Sequence, residues 1–533
     1  MRQPRGFPQT TAARAAAGAA AVCALGLLAL GCGGGGGGDH TKPSNGSGTS
    51  PTAARSPAAP VPPPRTIPAI REAATTTGPG WRPGKGARVV AASGPLADEA
   101  ELLAGELGMT TAKPPARRGD VELALDPGHS GGPEAYTLTV RDGRARITGS
   151  TDAGVFYGTR TLRQAVRSTG AFPEGEVNDR PDRPQRGLHL DIARKYYTAA
   201  WIEDRLRQLA DLKLNQLALH FSDDQGFRIQ SDTHPEVVSA QHLSKAEVRR
   251  IVALGRRLHV TVIPELDSPG HLGAVLRAHP DLQLRNASGA TVAGAVDISK
   301  PGSARIVDEL LREFTPLFPG RWWHLGGDEY QALTASNPET SYPQLATAAK
   351  DRYGSQAKVQ DLATGWLNDR AAVVGKLGKH PKAWNDGFFR GGVVKADRAF
   401  EVEYWTGKEI GARPPSEYLD EGWKLVNLND EYLYYVLGQP NQFFYPTGRR
   451  IYEEWSPAVL RGTSPVPGNR PTGPDRVLGG RLAVWGDIAS AQTPDQVAAG
   501  IRLPLNALSQ RLWDPRKPTL SWQQFSTLAG QVD

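Results

Sequence analysis

The chain has 533 residues, 39% of them hydrophobic and 22% charged, and a formal net charge of +7. That length supplies a large core and more than one domain. The modest basic excess, with no lysine-rich run interleaved with aromatics, argues against a nucleic-acid partner, and two cysteines, Cys23 and Cys32, support neither a disulfide framework nor a Cys/His zinc site.

Residues 1–31 read as an export signal. Arg2, Arg5 and Arg14 form a positive start, and the apolar run over 15–30 is short for a membrane span. Leu28-Ala29-Leu30-Gly31-Cys32 is similar to a bacterial lipobox, which implies cleavage before Cys32 and a lipid anchor on it. The expected location is therefore outside the cell, at the membrane through Cys32. Cys23 leaves with the signal. Residues 32–80 form a Gly/Ser/Pro-rich linker, flexible at 33–38 and stiffer at 60–64.

Residues 81–184 read as a small α/β domain. Strands are expected over 87–92, 120–125, 135–140 and 145–149, the last two closed into a hairpin by Asp142-Gly143. Helical spacing covers 96–107 and 153–166. From 185 to 533 the rhythm changes. Short apolar strands at 187–192, 216–221, 261–264, 322–325, 382–384, 400–404, 424–427 and 482–485 alternate with longer helical stretches. Eight such units predict a parallel (β/α)8 TIM barrel, whose chemistry sits at the C-terminal ends of its strands.

That rule can be checked within the sequence. Arg194 follows the first strand, Asp223 and Asp224 the second, Asp267 and His271 the third, and Asp328 and Glu329 the fourth. Trp384 ends the fifth, Trp405 follows the sixth, Tyr432 and Tyr434 the seventh, and Trp485 with Asp487 closes the eighth. Singly these are ordinary: two aspartates can cap a helix, and a tryptophan at a strand end is usually core. Together they suit a carbohydrate pocket, with aromatic faces for the sugar ring and charged groups for its hydroxyls. Trp366, on a helical stretch, is either a further wall or core.

The centre of the pattern is Arg321-Trp-Trp-His-Leu-Gly-Gly-Asp-Glu-Tyr330. Gly326-Gly327 lets the backbone leave the strand sharply. Asp328 and Glu329 then point different ways, which suits contact with two parts of one substrate. The plain alternative is a turn with two solvated acids. Burial and nearby acids are expected to raise the Glu329 carboxyl so that it can act as an acid. Most glycosidases place a second carboxylate across the scissile bond, a geometry that adjacent Asp328 does not fit.

Leu190-Asp-Ile-Ala-Arg-Lys-Tyr-Tyr197, His220-Phe-Ser-Asp-Asp-Gln225, Pro264-Glu-Leu-Asp-Ser-Pro-Gly-His271, His324-Leu-Gly-Gly-Asp-Glu-Tyr330 and Trp384-Asn-Asp-Gly387 resemble the motifs of glycoside hydrolase family 20, the β-N-acetylhexosaminidases. The barrel is also similar to that of dispersin, a member that cuts poly-N-acetylglucosamine. The resemblance implies action on N-acetylglucosamine-containing glycans without metal or cofactor. It implies substrate-assisted catalysis, in which Asp328 orients the 2-acetamido group and Glu329 is acid and then base. Arg194 and Asp223 would contact the sugar, as would Asp487. Trp384, Trp405 and Trp485 would wall the acetamido group, with Tyr432 or Tyr434 bonding its oxygen. Asp267 and His271, with Asp223, would stand behind Glu329. Tyr432-Leu-Tyr434 and Asp487 depart from the family's usual Tyr-x-Asp and glutamate, so gluco or galacto preference and chain length stay open. The alternatives are a poly-N-acetylglucosamine or chitin-oligosaccharide hydrolase with endo character, and a non-catalytic surface lectin.

Overall fold

The computed structural model describes residues 64–92, 94–406 and 412–532. The expected signal, its lipobox Cys32 and most of the linker lie outside the described residues.

The first domain is a mixed sheet of β1 (Glu72–Thr75), β2 (Arg88–Ala91), β3 (Thr110–Ala112), β4 (Val121–Leu125), β5 (Tyr136–Arg141), β6 (Arg144–Gly149) and β7 (Gly175–Asp179). Their spatial order is β1-β7-β5-β6-β4-β2-β3. β5 and β6 form the expected hairpin, turning at Asp142 (φ 53°) and Gly143 (φ 69°). Positive φ at both centres matches the right-handed strand twist. Tyr136, Leu138 and Val140 alternate inward with Ala145 and Ile147, under the helix Asp152–Thr169. Thr151 caps that helix and Gly170 ends it in a left-handed turn.

The linker expected as far as residue 80 overruns this domain. Ile67 is fully buried, and its N–H donates to Gln164 Oε1 at 2.7 Å. β1 pairs antiparallel with β7. All four residues of β1 are exposed, so this edge strand exists by backbone pairing and leaves no apolar pattern in the sequence.

The second domain is the predicted barrel. Its strands are β8 (Gln185–Asp191), β9 (Gln216–His220), β10 (Thr261–Glu265), β13 (Trp322–His324), β14 (His380–Trp384), β15 (Glu401–Tyr404), β16 (Lys424–Asn427), β17 (Tyr434–Val436) and β18 (Val477–Trp485), with a small ribbon, β11 (Gln283–Arg285) and β12 (Thr291–Val296), between β10 and β13. Neighbouring barrel strands are parallel, and β18 closes the ring by pairing with β8 and β16. The seventh position is split. β16 lies along the start of β18, and β17 along its end, with Tyr434 opposite Ala483 and Val436 opposite Trp485.

Strand alternation sorts the barrel residues. Leu188, Leu190, Leu217 and Leu219 are fully buried, on the face of β8 and β9 opposite to His189 and His220. The interior is charged. His189, His220, Glu265, His324, Lys382, Glu403 and Arg481 are all at most 1% exposed. Glu265 Oε2 lies 2.9 Å from His189 Nε2 and 3.3 Å from His220 Nδ1, and its Oε1 lies 3.2 Å from His324 Nδ1. Trp384 Nε1 donates to the same Oε1 at 2.8 Å. Lys382 Nζ stands 2.8 Å from Glu401 and 3.3 Å from Glu403, which also pairs with Arg481. Burial drives His189 down to about 4, Lys382 to about 8 and Arg481 to about 10. Burial also opposes charge on His220, but Glu265 and Asp223 outweigh it and hold His220 well above its ordinary value.

Candidate active site

The C-terminal strand ends open into a cavity. Its charged lining is Arg194, His220, His271, Asp328, Glu329 and Asp487, and its aromatic lining is Trp405, Tyr434, Phe443 and Trp485.

The acid pair is set by a turn with little freedom. After β13 the chain passes through Gly326 (φ 70°) and Gly327 (φ 96°). A Cβ at 326 would lie 1.5 Å from Asp267 Oδ1, and that oxygen accepts the Gly327 N–H at 3.0 Å. Glu329 then adopts φ 48°, an uncommon conformation for a side chain other than glycine. Its N–H donates to Asp386 Oδ2 at 2.9 Å, and Asp386 Oδ1 accepts Trp405 Nε1 at 3.0 Å. The result buries Asp328, whose side chain is 13% exposed, while that of Glu329 is 49% exposed.

His271 (φ 55°) stands between the acids and the layer below. Its Nε2 is 3.5 Å from both Asp328 Oδ2 and Glu329 Oε2, and its Nδ1 is 3.3 Å from Asp223 Oδ2. The same Asp223 oxygen meets His220 Nε2 at 2.7 Å and Arg194 Nη2 at 2.9 Å. Arg194 is held from its other side by Asp191 Oδ2 at 3.0 Å, an oxygen that also accepts the Gly486 N–H at 2.9 Å. The guanidinium lies 5.4 Å over the Trp485 ring.

Burial, and then the charge of Asp267, push Asp328 well above the usual carboxylate range. Burial lifts Asp267 to about 6 and Asp386 to about 8. The interaction between the two acids opposes the rise of Asp267 and adds to that of Asp328, so a proton held by the pair rests on Asp328. Asp267 Oδ2 and Asp328 Oδ1 are buried with no hydrogen-bond partner. Burial resists charge on His271, but Asp328 and Asp223 hold it well above its ordinary value, as an imidazolium. Glu329 differs from the expectation of a raised carboxyl. His271, as a hydrogen-bond donor, lowers it most; burial opposes, and the charges of His271 and Arg194 lower it further. The half-exposed carboxyl keeps its water, so burial does not win.

The aromatic wall has two layers. Trp405 and Tyr434 are parallel within 2° at 5.7 Å, and Phe443 lies 6.2 Å from Tyr434. Trp485 stands 5.8 Å from Tyr434 at 58°. Its buried Nε1 has no hydrogen-bond partner, a donor left available to a ligand. Trp384 lies one layer deeper, 5.9 Å from Trp485 and bonded to Glu265.

Four expected contacts fall elsewhere, the first being Trp384, which was expected to wall the pocket and lies buried beneath its lining. Tyr432 turns away from the cavity: its hydroxyl reaches Glu454 at 3.3 Å, and Arg450 covers its ring at 4.4 Å. The split seventh strand explains this, because β17 begins at Tyr434. Trp366 is core, donating to Ser268 Oγ at 3.0 Å beneath Arg370. Asp223 is fully buried behind Arg194 and His271, so it positions them and has no face toward a ligand. Asp224 accepts the Gly273 N–H at 2.8 Å and shapes a loop. The sequence reading passed over Asp191, Asp386 and Phe443. The first two stand at or just past strand ends, where the barrel rule points. Phe443 comes from a loop with no periodic signal.

The catalytic domain of glycosyl hydrolase family 20 matches residues 184–516, and domain 2 of that family matches 63–180. A lacto-N-biosidase of Bifidobacterium bifidum is 30% identical over 87% of this chain and 41% of its own length. The chain thus spans about two fifths of that relative. A β-N-acetylhexosaminidase of Cellulomonas fimi is 26% identical, covering 74% of this chain and 78% of its own. In fold, the chain is similar to a Streptomyces plicatus β-hexosaminidase variant in complex with its product GlcNAc (TM-score 0.71, 24% identity, 90% of this chain and 95% of that one). The catalytic-domain match covers more than half of the sequence, and the chain therefore belongs to glycosyl hydrolase family 20 and is a glycoside hydrolase.

Proposed function

We propose that this enzyme is an exo-acting, retaining β-N-acetylhexosaminidase that removes terminal β-linked N-acetylglucosamine, or N-acetylgalactosamine, by substrate-assisted catalysis. The observation that carries the reading is the consecutive acid pair, Asp328 buried and Glu329 open, both facing His271 beside an aromatic box. Two acids on one side of a cavity suit a reaction whose nucleophile comes from the substrate, the exception known for this family.

The acetamido oxygen attacks C1 and the bond from C1 to the leaving oxygen breaks. Glu329 gives that oxygen its proton. The sugar entering the site strips water from Glu329, which raises its carboxyl toward the protonated form. His271, an imidazolium 3.5 Å away, orients the carboxyl until then. Asp328 orients the acetamido N–H, and once its proton passes to Asp267 its charge balances the oxazolinium ion that forms. Water then attacks C1 from the face the leaving group vacated, and Glu329 takes its proton. Trp405, Tyr434 and Trp485 wall the acetamido group, and Tyr434 bonds its oxygen. Arg194, fixed by Asp191 and Asp223, takes outer hydroxyls with Asp487.

The test is turnover of an aryl β-N-acetylglucosaminide with and without a thiazoline that mimics the cyclised acetamido group. Release blocked by the thiazoline is expected. Thiazoline binding without release would instead favour a lectin or an enzyme of longer chains. One second reading has its own support in the lacto-N-biosidase relative. An aryl lacto-N-bioside turned over faster than the monosaccharide would select it.

The family fold leaves location open. The lipobox supports an exported lipoprotein held at the membrane by Cys32, and Cys32→Ser is expected to release the protein into the soluble fraction. Persistent attachment would remove the lipid anchor from the account.

A further inference from the structure

Outside the cavity, two loops of the catalytic face converge on one carboxylate. His234 lies in the loop after β9, and His279 ends the short helix Gly273–Ala278 that follows β10. Each precedes a proline, Pro235 and Pro280, and proline restricts the residue before it. The two backbones are nearly identical, with φ −134° and ψ 62° at His234 and φ −126° and ψ 62° at His279. His234 Nδ1 lies 3.0 Å from Glu236 Oε1, and His279 Nε2 lies 2.9 Å from the same oxygen. The three donor atoms fall within 4.8 Å of one another.

The far side of His234 decides how this cluster can be read. Its Nε2 faces Glu309 Oε2 at 3.0 Å. A neutral imidazole has one N–H and one lone pair. With the proton on Nε2 toward Glu309, the Nδ1 lone pair meets a carboxylate lone pair. Either a second proton or a cation must stand there. A carboxylate fixing the outer nitrogen of a histidine is the usual support of a metal ligand. Two imidazole nitrogens and one carboxylate oxygen suit zinc, and zinc–ligand bonds of about 2.0–2.2 Å require only a small spreading of the present donors.

We infer that His234, Glu236 and His279 form a divalent transition-metal site, of zinc type, with Glu309 orienting His234 and water in the fourth position. The site ties together the loops that carry Asp223 and His271. His279 ends the helix that starts just after His271, and the first turn of that helix is bonded to Asp224 through the Gly273 N–H. None of the three ligands lines the catalytic cavity, so the metal has a holding role and the glycosidic chemistry does not pass through it.

The test is zinc alone, added at equimolar amounts to the full chain after chelation and dialysis. The account expects one zinc retained per chain and a rise in Tm. His279→Ala and His234→Ala should each weaken zinc binding at least tenfold, and Glu309→Gln about tenfold. The conservative His279→Gln gives a second variant should the alanine disturb the loop. Turnover of an aryl glycoside in zinc-free buffer should stay within about twofold of the parent for His279→Gln, because the residue is outside the catalytic cavity. No zinc retained by the parent chain, or equal retention by parent and both His279 variants, would overturn the site.

Discussion

Two charged networks are stacked in one barrel, and His220 joins them, with Nδ1 toward Glu265 below and Nε2 toward Asp223 above. The lower one, Glu265, His189, His324, Lys382, Glu403 and Arg481, is sealed: Glu403 meets Lys382 and Arg481, while Glu265 is ringed by His189 and His324, which burial holds down, and by the charged His220. The upper one, Asp223, His271, Asp267, Asp328 and Glu329, is built from similar residues. It ends in a half-exposed carboxylate and in an aromatic wall with an unpaired Trp485 N–H. The difference teaches that burial alone does not make a reactive site. Closure fixes the lower charges in place, whereas the upper ones stop at a surface where a substrate can complete them. Pairing geometry inside a sealed barrel is the costly part, since a buried charge that loses its partner is strongly destabilising.

This contrast can be broken from either end. The largest effect is expected below. Glu403→Gln leaves Arg481 and Lys382 short of a partner and should cost about 3–5 kcal/mol of stability, read by denaturant unfolding, with turnover per folded molecule largely kept. A stable variant with lost turnover would mean that the lower network takes part in the chemistry. Above, Glu329→Gln should lower turnover about a hundredfold or more on poor leaving groups and less on activated aryl ones, with Tm unchanged. Equal losses on both substrates would remove Glu329 as the acid.

His271→Gln sharpens the link between the layers. Losing the imidazolium removes the donor and charge that hold Glu329 down, so its carboxyl rises toward the ordinary value. The acid then stays protonated to higher pH, and the alkaline limb of kcat/KM should move upward. A limb that stays or moves down would contradict control by His271. The smallest effect separates the two tyrosines. Tyr434→Phe should cost about tenfold in kcat/KM, the scale of one hydrogen bond, whereas Tyr432→Phe, whose hydroxyl serves Glu454, should leave it unchanged. The reverse order would misplace the seventh strand.

Much of this was legible in the residues. Alternating apolar runs such as Gln216-Leu-Ala-Leu-His220 and Leu482-Ala-Val-Trp485 gave the barrel, and the strand-end rule gathered Arg194, His271, Asp328, Glu329, Trp405 and Trp485 around one cavity. Misreadings have physical causes. Glu72-Ala-Ala-Thr75 is held by edge pairing and so carries no hydrophobic pattern. Tyr432 and Tyr434 both suit a strand end, and only the break between β16 and β17 separates them. The sign of the Glu329 shift depends on His271 approaching from another strand, a distance that no local pattern contains. Asp386 supports the Glu329 backbone from the end of β14, but its sequence neighbours give no reason to prefer it over Asn385.

The central claim is that the substrate's own acetamido oxygen is the nucleophile, with Asp328 and Glu329 serving it from one side. The most direct measurement is kcat/KM for aryl β-glycosides whose N-acetyl group carries zero, one, two or three fluorines. Each fluorine makes the carbonyl oxygen a poorer nucleophile. The account predicts a steep, continuous fall along the series. Rates independent of fluorination would contradict it and would require a nucleophile from the protein or from water.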